Sequence, residues 1–206
     1  MNLPKDLKQA KKDIAESIET ALNDSYSKRL SIFMKFEGLR INPIAIYLAD
    51  HLNTKNINVF LVWADAGAVA LAKRDYSKYN NNIYSFASFT KTDFVNDSNS
   101  VLISITPKPY EFEDFNSLTE LYAGNHITIN PKFEDSNIGI GQIVRDRRRN
   151  FTSTWKNVYY LEPLSKGSLM HLYPQNWYLY KEVNNRYSFV KEFDKRPSNE
   201  DIFVYL

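Results

Sequence analysis

The stretch from Ile57 to Ala64 constrains the fold more than any other part of the sequence. Its residues are almost all apolar, so it lacks the alternation of a strand that has one solvated face. Near-continuous apolar runs of this length are typical of strands that are covered on both faces in a parallel sheet. The tripeptide Asp65-Ala66-Gly67 follows directly and turns the chain into an alanine-rich helix over residues 66–76. The run therefore predicts a parallel sheet with helices packed against it.

The rest of the first 155 residues repeats this alternation of strand and helix. Apolar spacings of three and four predict helices, and spacings of two predict strands. Asn42 precedes a proline and Asp114 precedes an apolar run, so each is placed to cap a helix. The predicted helices cover residues 3–28, 42–52, 115–123 and 142–155, and the further strands cover residues 30–36, 83–87, 101–106 and 126–130. This alternation predicts an α/β fold with a Rossmann-like mixed sheet and helices on both faces.

The pattern changes after about residue 155. Four strand-like segments joined by turns rich in Pro, Gly and Asn predict a C-terminal antiparallel β meander. Ser198 and Asp201 have the spacing of a capping box, which predicts a terminal helix. No linker or repeat interrupts this plan. We therefore expect a single domain over residues 1–206, with a βα-alternating part at about 1–155 and an antiparallel part at about 156–206.

Composition excludes several classes of function. The 206 residues include no cysteine, which excludes thiol nucleophiles, iron-sulfur clusters, cysteine zinc sites and disulfides. The chain has 26 Lys and Arg residues against 24 Asp and Glu residues, so it lacks the strong positive net charge that is typical of nucleic-acid-binding proteins. We therefore expect no nucleic-acid partner. Aromatic residues make up 15% of the chain. This excess fits either a large core with scattered surface tyrosines or a binding face.

Motifs of the common catalytic sites are missing from the sequence. It has no serine-hydrolase elbow, no phosphate-binding P-loop and no dinucleotide-binding fingerprint. His51, His126 and His171 lie in separate predicted elements, which favours structural roles over metal binding. We therefore expect no catalytic residue, no metal and no cofactor. An enzyme whose groups gather only in the folded chain remains the alternative.

Asp65 and Gly67 form the first candidate site. They follow a buried strand at its carboxyl end, which is the edge where open α/β sheets bind ligands. Asp65 is equally placed to cap the helix that follows. Both roles stay open at this point.

Gly139 and Gly141 form the second candidate site, together with the arginines that follow them. Free amides at the start of the predicted helix and the guanidinium group of Arg145 would suit a phosphate or an acidic partner. An ordinary solvated helix is the other interpretation. Arg148 falls within the apolar stripe of the same helix, so we expect it to point inward and to need a carboxylate or carbonyl partner.

A series of short motifs in a fixed order covers nearly the whole chain. They are Leu3-Pro4-Lys5-Asp6-Leu7, Asp65-Ala66-Gly67-Ala68, Ala70-Leu71-Ala72-Lys73-Arg74-Asp75, Asn130-Pro131, Gly139-Ile140-Gly141, Arg145-Asp146-Arg147-Arg148, Phe151, Tyr159-Tyr160-Leu161, Tyr173-Pro174, Trp177 and Arg196-Pro197-Ser198. In this order they resemble a domain-of-unknown-function family of cyanobacteria and chloroplasts. Its plant members include a low-photosystem-II-accumulation protein, and a similar domain follows the kinase domain of a chloroplast adenylate kinase.

The resemblance implies a binding function and no catalysed reaction. It suggests a soluble, non-enzymatic accessory or assembly factor of photosynthesis that binds a thylakoid membrane-protein subunit or another assembly factor. It implies no cofactor and no catalytic residue. The candidate binding residues are Asp65, Gly67, Asn130, Gly139, Gly141, Arg145, Arg148, Tyr173 and Trp177.

Two further expectations concern the alternative function and the location. The alternative is an enzyme that binds a nucleotide or a phosphorylated small molecule at the carboxyl edge of the sheet. The sequence shows no secretory signal, no transit peptide and no apolar run long enough to span a membrane. We expect a cytoplasmic or stromal protein with at most peripheral contact with the thylakoid surface. The oligomeric state stays open.

Overall fold

A computed structural model describes residues 2–133 and 141–206, which fall into two compact units. The first, called the alternating unit, contains Ser27–Ser31 and Arg40–Lys156. The second, called the meander unit, contains the chain up to Tyr26, the segment Ile32–Leu39 and the C-terminal part Asn157–Leu206. The N-terminal helix thus belongs with the C-terminal strands. That the chain forms a single domain stays a prediction.

The alternating unit is built on parallel strands in the order β3-β2-β4-β5, with β1 next to β5. The strands are β1 (Arg29–Met34, of which the first half lies in this unit), β2 (Val59–Trp63), β3 (Ile83–Ser85), β4 (Val101–Ile105) and β5 (Asn125–Ile129). Its helices are α2 (Asn42–Thr54), α3 (Ala66–Asp75), α4 (Phe86–Phe89), α5 (Phe112–Leu121) and α6 (Gln142–Ser153). Short 3-10 turns lie at Ser77–Tyr79, Asp93–Asn96 and Pro109–Glu111.

Strand β2 is buried along its whole length, as its apolar run predicts. Phe60 and Val62 point to one face, where they join a mostly aromatic core with residues of α4, α5 and α6. Trp63 points to the other face, which α2 covers and where its indole meets Asn42. Helices therefore cover both faces of this strand, and nine of the 30 aromatic residues of the sequence are buried in this core.

The elements around Ser85 and Asp114 differ from the expectation, the first because of helix capping and the second because of burial. The strand expected at 83–87 ends at Ser85, because Ser85 and Ser88 form a capping box that starts α4. Asp114 is not a helix cap. Helix α5 begins at Phe112, whose ring is buried in the aromatic core, so burial of that ring outweighs the local capping preference.

The meander unit pairs its C-terminal strands antiparallel, in the order β6-β7-β8-β9. Asn184 and Asn185 have φ values of 52° and 59°, the left-handed backbone that a tight hairpin between β8 and β9 requires. The Ser198 and Asp201 side chains cap the last helix as predicted. The elements are α1 (Leu7–Asn23), β6 (Lys156–Leu164, which begins in the alternating unit), β7 (Gly167–Leu172), β8 (Trp177–Val183), β9 (Arg186–Phe193) and α7 (Asn199–Tyr205).

The described residues thus contain nine strands, paired in parallel in one unit and antiparallel in the other. The expected class, α/β with a mixed sheet, a C-terminal antiparallel meander and a terminal helix, is confirmed. The strand order reverses between β2 and β4: the chain continues from β2 to β3 on one side and from β4 to β5 on the other side. In open α/β sheets this position opens a crevice for ligands.

Candidate functional site

Asp65 caps helix α3 directly after β2. Its carboxylate Oδ1 accepts a hydrogen bond of 2.7 Å from the Ala68 amide, so the capping role is confirmed. Gly67 lies in the first turn of this helix, where a Cβ atom would stand 3.1 Å from the same carboxylate oxygen. The cap therefore holds the Asp65 carboxylate at the carboxyl edge of the sheet, and Gly67 leaves room for it.

The cap should contribute measurably to stability. We expect Asp65→Ala to lower the free energy of unfolding by about 0.5–2 kcal/mol, because the Ala68 amide loses its acceptor. Asp65→Asn should retain most of that stability, since an asparagine oxygen also accepts at an N-cap. Urea unfolding of the three proteins measures the difference. Equal midpoints for the wild type and the alanine variant would show that the cap is not a stabilising contact.

A cavity of about 240 Å³ opens at the strand reversal between β2 and β4. Trp63 ends β2 and Ile105 ends β4, so the carboxyl ends of both strands form one wall of it. Its polar lining is Asn42, Asp65, Thr106, Lys108 and Glu111, and its apolar lining is Ile41, Trp63, Ala64, Ala68, Leu71 and Ile105. Among the candidate residues, Asp65 alone is part of this lining in the portion of the chain that the structure describes.

The charged groups of the cavity are of both signs. The Glu111 carboxylate accepts a hydrogen bond of 2.7 Å from the Lys108 amide, which fixes its side chain at the start of the turn. The Lys108 ammonium donates to the Tyr110 hydroxyl over 2.9 Å, and this contact, with the nearby carboxylates of Glu111 and Asp65, raises the pKa of Lys108. The lysine is therefore charged at neutral pH. Two carboxylates and one ammonium leave the lining with a net negative charge.

Thr106 and Asn130 share a left-handed backbone, each with a φ of 48°, at the carboxyl ends of β4 and β5. Asparagine adopts this conformation readily, but it strains a β-branched residue such as threonine. Thr106 donates its amide to the Ile129 carbonyl over 2.9 Å, which holds it there. Asn130 is not among the residues that line the cavity, so the expected grouping of Asp65 with Asn130 is not formed there.

Helix α6 carries the arginines of the second candidate site. Gly141 precedes the helix without a side-chain cap, and Gly139 lies outside the described residues. Arg145 is exposed. Arg148 points inward as expected: its Nη2 donates to the Pro109 carbonyl over 2.6 Å, and its guanidinium lies 5.4 Å from the centre of the Phe112 ring. This contact anchors α6 on the turn before α5.

Tyr173 and Trp177 belong to the meander unit and are largely structural. The Tyr173 ring stacks on Tyr26 at 4.3 Å, and its hydroxyl donates to Asp24 over 3.1 Å. Trp177 is buried and stacks on the ring of His171 at 4.7 Å. Neither of these residues is among those that line the cavity.

A polar cluster around Tyr160 was not predicted. This buried hydroxyl donates to the Glu162 carboxylate and accepts from Arg196 Nη2 over 3.0 Å, while the Lys35 ammonium lies 3.0 Å from Glu162. Burial and the contact with Glu162 raise the pKa of Tyr160. The period-two spacing of Tyr160 and Glu162 on β6 was the available signal, since it places both on one face. The cluster joins β6 to the segment before α7.

His126 is fully buried between β4 and α5. Its Nε2 lies 2.6 Å from the Ser104 hydroxyl and its Nδ1 lies 3.3 Å from the Thr119 hydroxyl. Burial lowers the pKa of His126 to about 3, so the ring is neutral at physiological pH. Ser104 is buried as well, so this serine and histidine have no access to a substrate. Within the described ranges, no cluster of His, Cys, Asp or Glu side chains is placed to hold a metal ion.

The fold and site define an α/β protein with a cavity of about 240 Å³ at a strand reversal. The chain belongs to the family described as Domain of unknown function (DUF1995), whose model matches residues 4–203. The family resemblance in the sequence motifs is thereby confirmed at the level of the family. A search of curated proteins finds no match.

Proposed function

We propose that the protein is a non-enzymatic accessory factor that acts by binding another protein. Its partner is a photosystem subunit or another assembly factor, and it works in the cytoplasm or stroma, at most peripherally at the thylakoid surface. The photosynthetic setting rests on the resemblance to members in cyanobacteria and chloroplasts. No helix among the described residues is long and apolar enough to cross a membrane.

The observation that carries this proposal is an exposed apolar surface at the end of the meander unit. Helix α7 packs through Ile202 on the core around Tyr160 and through Tyr205 on Phe193, at 5.9 Å between rings. This leaves Phe203 and Val204 facing outward, 85% and 76% exposed. We call these two residues the α7 surface. Their exposed apolar side chains are adjacent in the sequence, and contiguous exposed apolar patches mark surfaces that bind partners.

The neighbouring hairpin supports the same interpretation. Val183, Tyr187 and Phe189 are each about half exposed on β8 and β9. Among the described strands, β9 pairs with β8 alone, so its outer edge presents backbone donors and acceptors. Apolar side chains and an open edge are the two features by which extended segments of partner proteins are bound.

Removing the α7 surface should abolish partner binding. In affinity capture from the native cells, Phe203→Ser with Val204→Ser should reduce partner recovery by about tenfold or more, since buried anchors of this kind contribute 2 kcal/mol or more. The fold should persist, because neither side chain packs inward. Tyr110→Ser is the matched control, because Tyr110 is 74% exposed in the alternating unit. Recovery of no photosynthetic or thylakoid protein by the wild type would contradict the proposal.

The second candidate function is binding of a small molecule at the carboxyl edge of the sheet. The cavity at the strand reversal favours it, because it lies where α/β sheets bind ligands and contains Asp65. Enzymatic turnover of a nucleotide or phosphorylated molecule is the form that the sequence suggested. Direct titration with phosphorylated and neutral small molecules tests this candidate.

A further inference from the structure

The lining of the cavity between β2 and β4 restricts what it can bind. Its Asp65 and Glu111 carboxylates accept hydrogen bonds, its Lys108 ammonium donates them, and the Asn42 amide does both. Within residues 2–133 and 141–206, neither Asp65 nor Glu111 forms an ion pair. Each uses one carboxylate oxygen for a backbone amide and keeps a second oxygen. The cavity therefore offers both acceptors and donors, with acceptors in excess.

A phosphate group does not match this lining. It is an acceptor with negative charge, so it would face two carboxylates and gain a single ammonium partner. A hydroxyl group both donates and accepts, so it can pair with a carboxylate, an amide or an ammonium. Several hydroxyl groups on one small molecule would satisfy the polar side of the cavity without a charge conflict.

The apolar side of the cavity matches the carbon face of such a molecule. Ile41, Trp63 and Ile105 provide apolar contact area in the same lining as the charged groups. The volume of about 240 Å³ lies below the range of about 300–1,000 Å³ that is typical of sites for drug-sized ligands. It accommodates one ring rather than a dinucleotide.

We propose that this cavity binds a single small, neutral, polyhydroxylated ring, such as a monosaccharide or a cyclitol. The strained backbone of Thr106 at its wall agrees with a functional position, because such strain persists where a site requires it. The inference rests on the second candidate function and is independent of partner binding by the α7 surface.

The Trp63 indole N–H reports on this cavity. It donates to Asn42 over 3.4 Å and belongs to a residue of the lining, so a bound ring should shift its resonance in a ¹H–¹⁵N spectrum. Trp63→Phe identifies the peak. The probes are D-ribose and myo-inositol as neutral rings and D-ribose 5-phosphate as the charged one. At about 10 mM, a probe with a Kd of about 1 mM would occupy most of the sites.

The Asp65→Asn variant tests whether the Asp65 carboxylate contributes to binding of the ring. It keeps an N-cap acceptor, so α3 should remain folded, but it removes the charge from one acceptor in the cavity. We expect neutral-ring binding to weaken about tenfold, because a hydrogen bond to a charged acceptor is stronger than one to a neutral amide oxygen. Asp75→Asn, at the exposed far end of the same helix, is the matched control and should bind as the wild type does.

The titrations monitored at Trp63 have three outcomes. A Trp63 shift with the neutral probes that Asp65→Asn weakens and Asp75→Asn preserves supports the proposal. Tighter binding of D-ribose 5-phosphate, strengthened by Asp65→Asn, overturns the neutral class but keeps the cavity as a phosphate-ligand site. No Trp63 shift with any of the probes overturns the proposed site and its neutral-ring class, while affinity capture separately decides partner binding.

Discussion

Phe115→Ala is expected to destabilise the protein by about 3–5 kcal/mol, the cost typical of truncating a fully buried phenylalanine. The Phe115 ring is completely buried on α5. Its centre lies 5.1–5.8 Å from the rings of Phe86, Phe133, Phe151, Trp155 and His126. Truncation would remove apolar area and leave a cavity at the point where three helices meet the sheet. This loss is a large part of the 5–15 kcal/mol that stabilises a typical domain.

Urea unfolding measures this effect, and two variants control for it. Phe115→Leu should lose less, because most of the volume remains filled. Phe203→Ala, at a ring that is exposed rather than buried, should change the free energy of unfolding by no more than about 0.5 kcal/mol. A similar small loss for Phe115→Ala and Phe203→Ala would contradict the packing role of Phe115 in this core.

Acid should destabilise the protein through His126. Its pKa is lowered to about 3 in the folded state by burial, whereas an unfolded histidine titrates near 6.5. Below about pH 6.5 His126 binds a proton in the unfolded state but not in the folded state. The free energy of unfolding therefore falls as the pH falls toward 3. The limiting slope is about 1.4 kcal/mol per pH unit, which gives a loss of about 2 kcal/mol between pH 7 and pH 5 from this residue. Burial also lowers the pKa of His171, which adds a loss in the same direction.

Denaturant unfolding at several pH values between 7 and 5 tests this linkage. His126→Gln can still hydrogen-bond to Ser104 but carries no titrating ring, so it should flatten the pH dependence even if it lowers stability at pH 7. His51→Gln changes a histidine on α2, outside this buried network, and is the matched control. The same slope in the wild type and in His126→Gln would show that the buried imidazole is not the source.

Local signals predicted the elements of this fold well. Three predictions that depend on residues within a few positions of one another are confirmed. They are the apolar run of β2, the Asp65 cap and the Ser198 capping box. The inward direction of Arg148 followed from helical spacing. These features are set by backbone sterics and by periodicity, which a single sequence contains.

The sequence alone did not predict the features that depend on the order of the strands in the sheet. The cavity brings together Asn42, Asp65 and Lys108 from three separate connections, and they meet because β4 pairs with β2 rather than with β3. The early start of α5 likewise depends on where the Phe112 ring is buried, which outweighs the capping preference of Asp114. Pairing and burial of this kind involve residues distant in sequence, so spacing alone does not determine them.

Photo-crosslinking from position 203 in the native cells tests the central proposal most directly. A benzoylphenylalanine side chain at position 203 would extend its added benzoyl group outward from α7, because Phe203 is 85% exposed, so a bound partner would lie against it. We expect an ultraviolet-dependent adduct with a photosystem subunit or an assembly factor, and no such adduct from the same substitution at the exposed Tyr110. Adducts that include no thylakoid or photosynthetic protein, or equal adducts from both positions, would contradict it.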